Sequence, residues 1–168
     1  GPDANHLPLH LDANTSPQGT LVGHVARANP LWRNTAGSEV LAIFHGPQAY
    51  VTPSWYPTKH EHGKAVPTWN YVVVHARGRL RAVDDAAWLR RQLEVLVDSH
   101  ESGFDTPWRV TDAPPDYIDK MLAAIVGIEI EITELTGKWK ISQNQPEANR
   151  AGVVAGLRGQ ESAEALAV

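Results

Sequence analysis

The chain has 168 residues, 42% of them hydrophobic and 20% charged, with a net charge of −4 and no cysteine. That length can bury a real core, while the composition excludes disulfides, thiolate metal sites and cysteine nucleophiles. It argues against the broad basic surface of a DNA-binding domain, and no apolar run approaches the ~20 residues of a membrane helix, so a cytoplasmic protein with no membrane contact is expected.

The first residues read as the end of a turn entering a strand. Asn5–Asp12 alternates, with Asn5, Leu7, Leu9 and Leu11 on one side and His6, Pro8, His10 and Asp12 on the other. That pattern predicts a half-buried strand. Asn14–Gly19 is turn-rich, and Thr20–Ala26 reads as the returning strand of a hairpin. Ala28–Arg33 predicts a short helix with Asn29 as N-cap and Pro30 at its first position. Val40–His45 has strand character, breaks at Gly46-Pro47 and resumes over Ala49–Thr52. Thr68–Val83 predicts a long strand, weakened or bulged at Gly78.

Asp84 or Asp85 then caps a helix with Ala86, Leu89, Leu93 and Leu96 at helical spacing. Gly103–Asp112 is a loop holding Trp108 and Arg109. Pro114-Pro115 opens a second helix, to about Ala124. Ile128, Ile130 and Ile132 alternate with Glu129 and Glu131, which predicts a strand with one wet face. Lys138–Asn144 is a polar segment, and Pro146 starts a last helix ending near Gly156. Residues 1–157 read as one domain and 158–168 as a flexible tail. Five or six strands in hairpin-like order, with helices inserted late, favour a mainly β, antiparallel barrel with peripheral helices (α+β) over a βαβ fold.

Two stretches carry the functional signal. Gly46–Pro57 contains Ser54, Trp55 and Tyr56, and Val66–Tyr71 contains Thr68, Trp69 and Asn70. Aromatic rings beside hydroxyl and amide groups at strand ends suit a flat ligand with a polar rim. Packing and turn-capping are the ordinary alternatives for the same residues. Lys59, His60, Glu61, His62 and Lys64 form a polar loop between the stretches, which reads as a lid or a solvated cluster. Its two histidines are a weak metal signal, because ordering a mobile loop costs entropy.

The chain holds eight histidines. His24 shares a strand face with Thr20, Val22 and Ala26, and Arg27 and Asn29 follow it. It reads either as a buried structural histidine or as a phosphate contact or axial metal ligand. His6 is a second choice, His10 reads as solvated, and His75 shares a strand face with Trp69 and Tyr71. Phosphate-loop, dinucleotide, nucleophile-elbow and zinc-protease signatures are absent.

Several segments resemble, in order, the PaiB family of FMN-binding negative transcriptional regulators. They are Asn5-His6-Leu7-Pro8-Leu9; Gly23-His24-Val25-Ala26-Arg27-Ala28-Asn29-Pro30; Gly46-Pro47-Gln48-Ala49-Tyr50 with Pro53-Ser54-Trp55-Tyr56; Val66-Pro67-Thr68-Trp69-Asn70-Tyr71 with His75; and Lys138-Trp139-Lys140-Ile141-Ser142-Gln143-Asn144. The resemblance implies an antiparallel split β-barrel of the pyridoxamine-phosphate-oxidase type, a homodimer with FMN in the dimer cleft, and a helix and first strand preceding Gly1. Some PaiB-like proteins, the piperazate synthases, instead use heme to form an N–N bond, so fold analogy leaves the activity open.

Two functions follow as expectations. In the first, FMN is bound by some of His6, His24, Arg27, Asn29, Ser54, Trp55, Tyr56, Thr68, Trp69 and Asn70, and the protein is a regulator with no legible helix-turn-helix, so that direct DNA contact stays open. In the second, heme b is held by His24, or by His6, in an enzyme acting on a hydroxylated ornithine-like substrate whose carboxylate meets Lys59 or Lys64. A barrel that binds nothing tightly is the third possibility. Lys138, Lys140 and Gln143 match the family without an assignable role.

Overall fold

The alternating segments become five strands in one sheet. The computed structural model describes residues 3–160 and Ala167. In chain order the elements are β1 (His10–Asp12), β2 (Thr20–Ala26), α1 (Leu31–Asn34), β3 (Glu39–Val51), α2 (Thr58–His62), β4 (Thr68–Val83), α3 (Ala86–Glu101), α4 (Pro115–Ala123), β5 (Ile125–Lys140) and α5 (Glu147–Gly159). Short 3-10 turns cover Pro53–Trp55 and Val110–Asp112. The strand order is β1-β2-β5-β4-β3. The β1–β2 and β2–β5 pairs are antiparallel. This is the mainly β, α+β architecture expected of the split-barrel class.

Two compact units divide the contacts. One holds the residues up to Leu41 together with Ala76–Glu134, and the other holds Ala42–His75 with the residues from Leu135 onward.

In the first unit, pairing of β2 with β5 sorts side chains by face. Leu21, Gly23 and Val25 lie opposite Ile130, Ile128 and Val126, and all six are buried. Each large apolar side chain hidden this way stabilises the fold by about 1.5–3 kcal/mol. The opposite face carries Thr20, Val22 and His24 against Glu131, Glu129 and Gly127. Helix α3 covers part of that second face. It starts at Asp85, whose carboxylate accepts the Trp88 N–H at 2.6 Å. Leu89 joins Val110, Ile118 and Leu122 in a buried cluster between α3 and α4.

In the second unit, Ala49, Val51, Tyr56, Val153 and Leu157 form the core, with Trp55 and Ala65 packed against it. Helix α5 brings Gly152 and Gly156, one turn apart, against Trp55. A β-carbon at either position would strike the Trp55 backbone or indole.

The structure corrects several boundaries. The expected strand over Asn5–Asp12 survives only as His10–Asp12, because Pro8 has no N–H for a ladder. The backbone of Pro8 and the side chain of Leu9 lie instead against Gly23. β3 runs through Gly46-Pro47 unbroken, and a strand at the sheet edge tolerates a missing donor. β4 is continuous at Gly78, where the absent side chain admits the Glu131 carbonyl. The helix expected from Pro30 begins at Leu31, whose N–H is accepted by the Asn29 side chain at 2.9 Å. The expected lid loop contains α2, closed by Gly63 in the left-handed conformation. Arg158 and Gly159 belong to α5; the remaining tail expectation falls largely on 161–166 and 168, which lie outside the described residues.

Candidate functional site

In the second unit two family-like segments meet. Trp69 is the second residue of β4, with 53% of its surface exposed. Its ring meets Tyr50 of β3 edge-on, with centroids 5.8 Å apart and planes at 71°. The residue after it, Asn70, is buried and accepts the Ser142 hydroxyl at 2.9 Å. Thr68 accepts from the Lys140 ammonium at 2.6 Å. The same ammonium donates to the Trp69 carbonyl and lies 5.8 Å from the Tyr71 ring centroid. A cation in reach of an aromatic face gains electrostatically from it.

The Lys138–Asn144 segment holds this arrangement through a tight local turn. Ser142 is buried in the left-handed region, at φ 62°, a conformation that costs a non-glycine residue about 1–2 kcal/mol. Gln143 offsets that cost from both ends. Its amide donates to the Trp139 carbonyl at 2.6 Å and its oxygen accepts the Ile141 N–H at 2.8 Å. The result is a pinned backbone beneath exposed rings.

Other residues expected at a ligand in this unit have different occupations. The Trp55 indole packs on α5 at Gly156, and Tyr56 is buried in the core. The Tyr56 hydroxyl has no partner among the described residues. Ser54 is exposed, and its N–H is accepted by Thr52 Oγ1 at 3.2 Å. Lys59 is exposed on α2 and Lys64 just after it; the helix is anchored by Thr58 donating to Asn149 at 3.1 Å. His60 and His62 stand two apart on that helix, a spacing that does not put two rings on one face. His75 is exposed on β4.

In the first unit, His24 lies beneath α3. Its Nδ1 is 3.0 Å from Gln92 Oε1. Gln92 is 6% exposed, and its amide nitrogen has no partner among the described residues. Trp88, one turn earlier on α3, donates from its indole to Glu129 at 3.0 Å. Glu129 also binds Arg81, so one of the two carboxylates read as a wet face is in fact tied into a network. Beside it is an open cleft of about 1150 Å³ lined by Arg79, Arg81, Trp88, Gln92, Glu129 and Glu131, among others. None of the residues expected at a cofactor lines that cleft.

Arg27, expected at a phosphate, is committed elsewhere. It grips Asp84 with two bonds of 2.6 and 2.8 Å. It also donates to the Ala123 and Ile125 carbonyls at 2.7 and 3.0 Å. The Asp84 hydrogen bonds raise the Arg27 pKa, and the Arg27 hydrogen bonds lower that of Asp84. Asn29 donates to Asn5 at 2.8 Å, and His6 is exposed ahead of β1 rather than on it.

Residues 1–134 match the family described as "Putative FMN-binding domain". The chain is also 32% identical to Protease synthase and sporulation protein PAI 2 of Bacillus subtilis, over 98% of this chain and 76% of that protein. The chain belongs to the PaiB-like family of FMN-binding domains. Another relative is an uncharacterized protein of Emericella nidulans, 36% identical over 92% of this chain and 74% of that one. Among solved structures, the flavocytochrome Anf3 from Azotobacter vinelandii superposes with a TM-score of 0.51 at 14% identity. That match covers 85% of this chain and 65% of the Anf3 chain, and shows a shared fold.

Sequence reasoning left the structural contacts of three residues unseen: Lys140 and Ser142 in the second unit and Gln92 in the first. Lys140 and Ser142 stood in a recognised segment, but their contacts are 72 residues away in sequence. Gln92 had a readable signal. It falls three residues after Leu89, on the apolar stripe of α3, where a polar side chain needs a partner.

Proposed function

We propose that this chain is a PaiB-type cytoplasmic FMN-binding protein and a negative regulator of gene expression. The observation that carries the reading is the exposed Tyr50–Trp69 pair on a backbone locked by Lys140, Asn70 and Ser142. Exposed rings over a pinned strand offer a stacking surface that needs no reordering on binding. Trp69 and Tyr50 would hold the isoalloxazine, and Lys140 with Thr68 would meet its phosphate. Bound FMN would supply electron-accepting chemistry. Trp55, Tyr56 and Arg27 then serve the scaffold.

The same unit exposes Ile43, Phe44, Trp139 and Ile141, and β3 is a sheet edge. Long apolar edges invite pairing, which supports a homodimer that completes the flavin site. Among the described residues no helix is long and apolar enough to cross a membrane. With a net charge of −4, regulation through a partner fits better than groove binding. Titrating FMN into the purified chain tests the reading. Quenched tryptophan fluorescence and a perturbed flavin band are expected, with Trp69→Ala weakening binding about tenfold. No flavin uptake by the wild-type chain would defeat it.

The second reading is the heme enzyme, favoured by the His24–Gln92 contact. A histidine that binds metal commonly donates its other ring N–H to an oxygen, and Gln92 Oε1 is so placed. His24 would hold the iron, while the His6 ring has no comparable hydrogen-bond partner among the described residues. A Soret band on adding hemin, lost in His24→Ala, is the expected result; no band overturns it.

A further inference from the structure

We propose that the open cleft of the first unit is a binding site for a small amino-acid-type zwitterion, a free amino acid or dipeptide. Its carboxylate meets Arg79 and Arg91, and its ammonium meets Asp12 and Glu131. The proposal rests on neither the flavin nor the heme reading.

Every residue lining the cleft belongs to the first unit, and two surfaces of the fold build it. The floor is the face of the sheet opposite the core. Asp12 of β1 pairs with Thr20 of β2, and Thr20 pairs with Glu131 of β5. Directly paired residues share a face, so the two acidic residues flank Thr20, roughly 10 Å apart at two strand spacings. Arg79 of β4 also lines the cleft. The wall is α3, where Trp88, Arg91, Gln92 and Val95 recur at helical spacing along one side.

Charge decides what such a cleft takes. Arg81 and Glu129 are spent on each other, and Glu129 also accepts the Trp88 indole N–H. The guanidinium groups of Arg79 and Arg91 have no hydrogen bond or ion pair among the described residues, and neither has the Glu131 carboxylate. The Asp12 carboxylate accepts only the N–H of Asn14. Two cations and two anions therefore line one space without pairing. A simple anion would gain from the arginines and lose to the carboxylates, and a simple cation the reverse. A molecule bearing both signs satisfies both, and a guanidinium grips a carboxylate through paired N–H bonds. Charges recessed in a cleft are also less screened than charges on a flat surface.

The rest of the lining includes apolar Leu11, Val22, Trp88 and Val95, of which Leu11 and Val95 are half exposed. At about 1150 Å³ the space exceeds the ~300–1,000 Å³ usual for a small-molecule site. That leaves room for an apolar side chain or a second residue.

Isothermal titration calorimetry of the whole chain at neutral pH tests this with the dipeptide Leu-Leu, its N-acetylated form and its C-terminal amide. Leu-Leu should bind, and blocking either end should weaken it about tenfold or more. Glu131→Gln should weaken Leu-Leu and leave the N-acetylated form no weaker. Arg91→Gln should weaken Leu-Leu and leave the amide no weaker. Both substitutions fall on exposed side chains, so the melting temperature should hold; should a variant fail to fold, the blocked peptides decide alone. No heat from Leu-Leu at about 10 mM overturns the proposal. Equal binding of the three peptides, or of Leu-Leu by wild type and both variants, overturns it too. Saturating FMN should leave Leu-Leu binding intact. Direct competition would make the cleft the flavin's own and overturn the assignment, while failure of FMN to bind touches only the flavin reading.

Discussion

The polar face beneath α3 and the aromatic patch at the start of β4 use their polar groups in opposite ways. Under α3, His24, Gln92, Trp88 and Glu129 are partly or wholly withdrawn from water and bonded in two pairs, His24 with Gln92 and Trp88 with Glu129. Around Trp69 the hydrogen bonds lie below, through Lys140, Asn70 and Ser142, and the rings stay exposed. The first arrangement spends its polar groups on the packing of α3 against the sheet. The second fixes a backbone so that a surface is ready for something outside it. Rigid support beneath an exposed apolar group is what a preformed binding surface needs.

The sharpest way to break this contrast is to remove bulk from each region. Ile128 is fully buried behind the α3 face, so Ile128→Ala should cost about 2–5 kcal/mol. Trp139, two-thirds exposed at 67%, should cost within about 0.5 kcal/mol when changed to Ala. Urea midpoints at equal slope would measure both. A large loss for Trp139→Ala would mean its ring is packed, in this chain or against a second copy; a concentration-dependent midpoint would tell these apart.

Next comes the seat of α3. Gly127→Ala drives a methyl group into Trp88, and overpacking of that kind costs about 1–3 kcal/mol. It should also disturb the His24–Gln92 contact, seen as a shift of the His24 ring resonances. An unchanged melting temperature would show that α3 can slide without loss.

In the aromatic patch, Asn70→Ala leaves the buried Ser142 hydroxyl without its acceptor. The expected cost is about 1–3 kcal/mol, with weaker FMN binding because the strand beneath Trp69 loosens. Trp69→Ala should do the reverse, with little effect on stability and a large one on FMN. If both variants lose stability and affinity in the same proportion, the division into support and surface fails.

The sequence made the long elements legible and the contacts much less so. Thr68–Val83 and Thr20–Ala26 were readable to the residue, because alternation and flanking turns both point the same way. The Gly46-Pro47 break was misread because an edge position, which excuses a proline, is a property of sheet order. The single roles of Trp55 and Arg27 were hidden for a similar reason. Trp55 is decided by two glycines of α5 nearly a hundred positions on, and Arg27 by Asp84 and two carbonyls beyond it. Family motifs pick out residues that matter, and they do not separate those that touch a ligand from those that hold the frame.

The smallest expected effect concerns that frame. Arg27 lowers the Asp84 pKa below its ordinary 3.8, chiefly by hydrogen bonding. A carboxylate with a depressed folded pKa stabilises the fold above its unfolded value, and the contribution is lost as pH falls through the folded one. The elevated Arg27 pKa stabilises everywhere below its own unfolded range, so it adds no pH dependence near neutrality. Asp84→Asn should therefore melt slightly below wild type at neutral pH, and the gap should close on acidification below about 3.8. Both groups are solvent-exposed, so added salt should narrow the same gap. A gap that persists in acid would show that Asp84 acts through its shape and hydrogen bonds to Arg27 rather than through its charge. The pair would then be a geometric clasp joining the ends of β2 and β4, and its two arginine bonds to the Ala123 and Ile125 carbonyls would be the part worth breaking next.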